Sequence, residues 1–299
     1  MRVQRLLAQG ADAGAQAEWA DWLTQLGDGT LPAGPDSEVN LPADCCLRRG
    51  EDPDAPPPTV MDLVGRVYGD VKNDELARDP EALISRAVLT PLNVDVDAIN
   101  DAVMRIWPGE ERTYLSADVP DDGDAGVELY PPEVLNTFSS GGLPPHSLSL
   151  KVGAPFILLR NMSAAKGLMN GTRLVVVRLA ERIIQARILT GPCAGNDAII
   201  PRIPMRPSDS NSVPAVFTRT QFPVRPAFAL TINKAQGQTF RCVGIYLPKS
   251  VFAHGQLYVA ASRVGERAGV TFLVPQPETA DAPSTTMNVV YPEVLQHVL

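Results

Sequence analysis

The polar run Asn233-Lys234-Ala235-Gln236-Gly237-Gln238-Thr239 holds the densest set of groups able to meet an anion. Its amides can donate hydrogen bonds, Lys234 supplies a charge, and Gly237 lets the backbone approach a phosphate closely. Arg263 closes a helical stretch further on. Taken singly, each residue also has an ordinary reading. A helix C-terminal arginine commonly neutralises the macrodipole, and a loop lysine is usually solvated.

The elements that must position these groups are visible over residues 226–274. Segments 228–232, 243–247 and 270–274 are short, apolar and β-branched, as buried strands are. The polar run separates the first two. A helix is expected over 254–264, with Leu257, Ala260 and Ala261 on one face. Strand, polar loop, strand, helix, strand is an α/β pattern, in which ligands bind at the carboxyl ends of strands.

Upstream, Trp19, Trp22, Leu23 and Leu26 form one helical stripe ended by Gly27-Asp28-Gly29, with core packing the expected role of the tryptophans. Residues 60–68 have helical spacing, 85–90 read as a buried strand, and Val96, Ile99, Val103 and Ile106 line a further helix. Asn93, in the loop between the last two, is of a type that often caps its own turn. Residues 118–124 are acidic, match no calcium loop and are expected to be a solvated loop. From 148 to 224, short alternating segments and frequent Gly and Pro point to a small β-barrel, with Asn170-Gly171 a hairpin signal.

The chain has 299 residues, 44% of them hydrophobic and 20% charged, which suits a soluble globular protein of one large or two modest domains. Cys45, Cys46, Cys193 and Cys242 and three histidines show no metal-ligand spacing, so neither a metal site nor a disulfide framework is expected. No apolar run is long enough to cross a bilayer, and an intracellular protein with no membrane partner is expected. The net charge of −8 argues at first against nucleic acid. Its distribution argues otherwise. Residues 151–240 hold twelve Lys/Arg against three acids, +9, which leaves −17 elsewhere. A basic module inside an acidic chain suits a localised phosphate contact, although solvated strand faces would give the same count.

INKAQGQTF followed by QLYVAASRV resembles the fifth and sixth motifs of superfamily-one DNA helicases, and most closely the PIF type found in Helitron transposons. RAVLTPLN, LKVGAPFILLRN…GLMNGTR and NVVY…EVL resemble further segments of that family, and Met1-Arg2 with the later WL…GDG helix resembles its fourth motif. The resemblance implies the second RecA-like domain of a helicase, a P-loop NTPase-type sheet without its P-loop, carrying an inserted small all-β barrel that holds single-stranded DNA. It divides the chain into 1–147, first part of the motor domain, 148–225, the barrel, and 226–299, the part completing the motor domain. It makes Arg263 an arginine finger for the γ-phosphate of ATP, Arg2 a second γ-phosphate contact, and Gln236 and Gly237 nucleotide contacts. Thr231, Asn233, Lys234, Asn161 and Asn93 become DNA contacts. Position 233 departs from many relatives, which carry histidine there. A nuclear location is implied if the source is eukaryotic.

No GxxxxGK[ST] sequence occurs in the 299 residues. Motor function needs such a phosphate cradle and acidic groups for Mg²⁺. ATP and Mg²⁺ therefore belong to the intact family, and this chain alone is expected neither to bind ATP tightly nor to hydrolyse it. Three readings remain open from sequence: the carboxyl-terminal part of a 5′-to-3′ DNA helicase working with a first RecA-like domain, a non-catalytic single-strand-binding module, or a decayed transposon product with a structural or interaction role.

Overall fold

A computed structural model describes residues 13–34, 37–50, 55–72, 76, 79–121, 130–140, 142–207, 216–276, 282–291 and 293. Arg2 lies outside them, as do Val294 and Leu295 of the closing motif. The helices are α1 (Ala13–Asp28), α2 (Val60–Tyr68), α3 (Pro80–Ile84), α4 (Asn93–Ile106), α5 (Pro132–Leu135) and α6 (Gln256–Ala261). The strands are β1 (Glu38–Asn40), β2 (Arg86–Thr90), β3 (Arg112–Leu115), β4 (Ala117–Pro120), β5 (Ser147–Leu150), β6 (Pro155–Leu158), β7 (Arg173–Leu179), β8 (Ile183–Ile188), β9 (Asp197–Pro201), β10 (Ile203–Met205), β11 (Phe217–Gln221), β12 (Val224–Pro226), β13 (Ala229–Thr231), β14 (Cys242–Tyr246), β15 (Val270–Leu273) and β16 (Thr285–Met287). They form two compact units, one from residues 1–70, 85–99 and 229–299, the other from 71–84 and 100–228.

The first unit is built on a parallel sheet of order β13-β2-β14-β15. Its strands bury nearly every side chain, which is why they read as continuous apolar runs and not as alternating ones. α2 starts at a capping box, in which Thr59 Oγ1 accepts from the Asp62 N–H and the Asp62 carboxylate accepts from the Thr59 N–H. Those hydrogen bonds from Thr59 hold the Asp62 carboxyl below its usual range. The buried face of α2, Leu63, Val64 and Val67, lies on β14. Gly244 is what permits the approach, since a Cβ there would fall 2.8 Å from Val67 Cγ2 and 2.9 Å from Leu63 Cγ. α1 buries Trp19, Leu23 and Leu26, and Trp22 stacks on Trp19 with ring centroids 5.0 Å apart. Trp19 is thus a core residue, and Trp22 packs half-buried against it and against Phe272. β16 pairs with β1, and Asn288 Nδ2 donates to Leu26 O at 2.8 Å, which docks the segment that follows β16.

The second unit is all but entirely β. A five-stranded antiparallel sheet has the order β12-β6-β7-β8-β9, and β10-β11-β4 and β3-β5 form two smaller sheets. Asn170-Gly171 turns the chain as expected, with Gly171 at φ +90°, but not as a two-residue hairpin. The turn ends a longer connection, residues 159–172, between the paired strands β6 and β7. β3 and β4, which lie before residue 148, pair with β5 and β11 of this unit.

Two expectations about charge are corrected. Asp118 is not in a solvated loop. It is on β4, 9% exposed, and accepts from Arg219 Nε at 3.0 Å and Nη2 at 2.6 Å. Arg219 spends its remaining donors on the carbonyls of Leu135, Phe138 and Pro144. Burial of the pair is tolerable because every guanidinium N–H has an acceptor. The +9 segment is also not a uniform contact surface. Lys151, Arg173, Arg219 and Arg225 are buried, and Arg173 and Lys151 donate to main-chain carbonyls around the ends of α3 and α4.

Among the described residues no helix is long and apolar enough to cross a membrane, and no three His, Cys, Asp or Glu side chains gather as a metal site would need. The four cysteines are free thiols, and burial is the main cause that pushes Cys45 up to about 11, which leaves it a poor nucleophile.

Arg219→Met should lower the unfolding free energy by about 3–5 kcal/mol, because it strands a buried carboxylate. Urea denaturation measures this. The double variant Arg219→Met/Asp118→Leu should recover most of the loss.

Candidate functional site

Parallel pairing decides which loops meet. Thr231 ends β13 beside Thr90, which ends β2, so the two following loops leave the same edge of the sheet. One carries Asn233 and Lys234; the other runs at once into α4, whose first residue is Asn93, not a loop residue as expected. Thr231 is buried, Asn233 and Asn93 are exposed and Lys234 is half-buried. Residues 232–235 form a single 3-10 turn, and Gln238 Nε2 donates to Lys234 O at 2.9 Å, which holds the loop in shape. Gln236 and Gly237 sit exposed at its tip, with Gly237 at φ +83°, a conformation that favours glycine.

Arg263 lies at the other end of the strands. α6 is shorter than expected, six residues opened by Gly255 in the left-handed region, and it returns the chain to the amino ends of β14 and β15. There Phe240 N donates to Arg263 O at 2.9 Å, and Phe240 bridges Val264 in parallel. The Arg263 side chain is 9% exposed. Its Nε donates to Val259 O at 2.7 Å, Nη1 to Gln238 O at 3.1 Å and Nη2 to Ser262 Oγ at 2.8 Å. One guanidinium therefore cements the end of α6 to the end of the polar loop. The Val259 contact is that of a helix C-terminal arginine.

Asn161 belongs to the second unit and is exposed, where its Oδ1 accepts from Asn170 N at 2.8 Å and so caps the Asn170-Gly171 turn. The structure brings Thr231, Asn233, Lys234 and Asn93 to one sheet edge and ties the Gln236–Gly237 loop to Arg263. Asn161 is not in that unit.

Two residues that sequence reasoning passed over complete the edge. Gln256, the first residue of α6, is 2% exposed. Its Oε1 accepts from Phe252 N at 3.1 Å and Ala253 N at 3.4 Å, and its Nε2 reaches Asn233 Oδ1 at 3.5 Å. A polar residue between Gly255 and the apolar face of α6 was the available signal. Phe252, 59% exposed, stands in the loop after β14, and an aromatic among the polar and small residues of that loop was its signal.

The chain has a mixed α/β fold that matches the 2B and second RecA-like region of Pif1 helicases, with an inserted small β-sheet element. Solved Pif1 helicases share it. The Candida albicans enzyme superposes with a TM-score of 0.56 at 23% identity, covering 94% of this chain and 57% of that one. The Bacteroides enzyme, solved in complex with ADP-AlF3 and ssDNA, gives 0.55 at 21% identity over 94% and 52%. The family model described as DNA helicase Pif1, 2B domain, matches residues 133–179. The human ATP-dependent DNA helicase PIF1 is 30% identical over 217 residues, 67% of this chain and 30% of that protein. The chain is therefore homologous over part of its length to PIF1-family ATP-dependent DNA helicases, and it spans less than a third of the human protein.

Arg263→Ala should cost about 1–3 kcal/mol of stability, since it leaves the Gln238 and Val259 carbonyls without this donor. Chemical denaturation reads the loss. A residue serving only a reacting phosphate would instead change stability by less than about 0.5 kcal/mol. Arg263→Lys should recover only part of the loss, because one ammonium cannot span three acceptors held in a fork.

Proposed function

We propose that this chain supplies the second RecA-like region and the single-strand-holding element of an ATP-dependent 5′-to-3′ DNA helicase of the PIF type. The observation that carries the reading is the joining of the two motif segments. The polar loop and the α6 segment each match a helicase motif, and the Arg263 guanidinium holds one against the other. In this reading residues 1–147 and 226–299 make the motor domain and 148–225 the DNA-holding insertion. Thr231, Asn233, Lys234, Asn93 and Asn161 contact DNA, while Gln236, Gly237 and Arg263 face the nucleotide, with Arg2 beside its γ-phosphate. Arg263 acts as a finger by exchanging acceptors on its own chain for phosphate oxygens. The complex of the Bacteroides relative with ADP-AlF3 and ssDNA supports both ligands.

In this reading ATP and Mg²⁺ are held chiefly by a first RecA-like domain, since the 299 residues carry no GxxxxGK[ST] sequence. The Helitron-type origin and a nuclear, intracellular location rest on the motif resemblance. One observation favours a second reading, a single-strand-binding module with no motor. Arg112, Arg182 and Arg202 line a cleft of about 480 Å³ in the β unit with Glu181 as its one carboxylate, and such a cleft can hold phosphates without ATP.

Fluorescence anisotropy with a labelled single-stranded oligonucleotide tests the proposal. Binding should weaken with salt, with a log–log slope of roughly −0.7 for each phosphate contacted. ATP should not alter it, and the chain alone should show no DNA-stimulated ATP hydrolysis. A DNA-stimulated rate in the pure chain would overturn the division of labour. Absence of binding at low salt would overturn the DNA-holding role.

A further inference from the structure

Phe252 is 59% exposed, although its neighbour Val251 is 3% exposed and core-bound. An aromatic ring left in water forgoes the stabilisation of burial. Its backbone is nonetheless fixed, because Gln256 accepts the N–H of both Phe252 and Ala253. The same buried carboxamide reaches Asn233, which is exposed, and half-buried Lys234 follows in the chain. One glutamine thus fixes the backbone of an exposed aromatic residue and reaches the Asn233 amide, with an ammonium next in sequence. These are complementary to what a single strand presents, base faces and phosphodiesters.

We propose that Phe252 is a base-stacking contact for single-stranded DNA, its backbone fixed by Gln256; this rests on the DNA-holding reading above. Stacking on one ring is indifferent to base identity, so the contact adds affinity without sequence preference. Gln256 is a positioning residue that touches no DNA itself.

The test compares the full chain with Phe252→Ala and Phe252→Trp on fluorescein-labelled oligo(dT) and on an abasic strand of equal length. Phe252→Ala should weaken oligo(dT) binding roughly tenfold, and Phe252→Trp should retain it. On the abasic strand all three should bind alike. Phe252→Ala should also leave the salt slope unchanged, whereas Lys234→Ala should flatten it by roughly 0.7. Equal binding of oligo(dT) by wild type and Phe252→Ala would overturn the stacking contact, as expected if the ring docks a protein instead. A loss that persists on the abasic strand would also overturn it, and thermal melts of each variant exclude misfolding as the cause. If wild type binds neither strand, the DNA-holding reading falls first and this contact with it.

Discussion

The insertion of β2 between β13 and β14 is the constraint on which the first unit depends. Without it β13 has no strand to pair with and is cut off from the β14-β15 pair, because β13 and β14 have no hydrogen bonds to each other and share only β2. Parallel pairing then fixes polarity. It sends the loops after Thr90 and Thr231 off the same edge, and it obliges the chain to return by way of the 3-10 turn and α6 before β15 can pair. The close seat of α2 on Gly244 covers one face of that sheet. Site geometry follows from strand order, with the side chains of the loops only finishing it.

Hydrogen bonds to main-chain carbonyls do much of the remaining work. Arg263, Arg219, Arg173 and Lys151 each spend donors on backbone oxygens at turns or helix ends. Such carbonyls are the groups a folded chain has most trouble satisfying, and long cationic side chains reach them from other elements. The cost is that much of the basic character of residues 151–240 is directed inward.

This explains what the sequence did and did not disclose. The buried strands and α2 were legible, because apolar runs and capping residues act locally. Thr231, Asn233, Lys234 and Asn93 were singled out through the motif resemblance, and it is the parallel pairing of β13 with β2 that gathers them at one edge. Asp118 was not, since its acidic surroundings speak for solvent and its partner Arg219 comes from a distant strand. The buried arginines were invisible to a charge count for the same reason. Gln256 acts through contacts of its own loop and of Asn233, and its identity alone does not distinguish a surface glutamine from a buried one.

Strand order also separates the two units in time. β6, β7, β8 and β9 pair with their sequential neighbours, so their ladders close short loops. β2 must instead wait for β13 and β14, which are made only after the whole of residues 100–228. Loop-closure entropy makes such distant pairing slow, whereas the meander forms early. During synthesis, the β unit is thus complete while β2 still lacks both partners, and an apolar strand with two open edges is the species most exposed to aggregation.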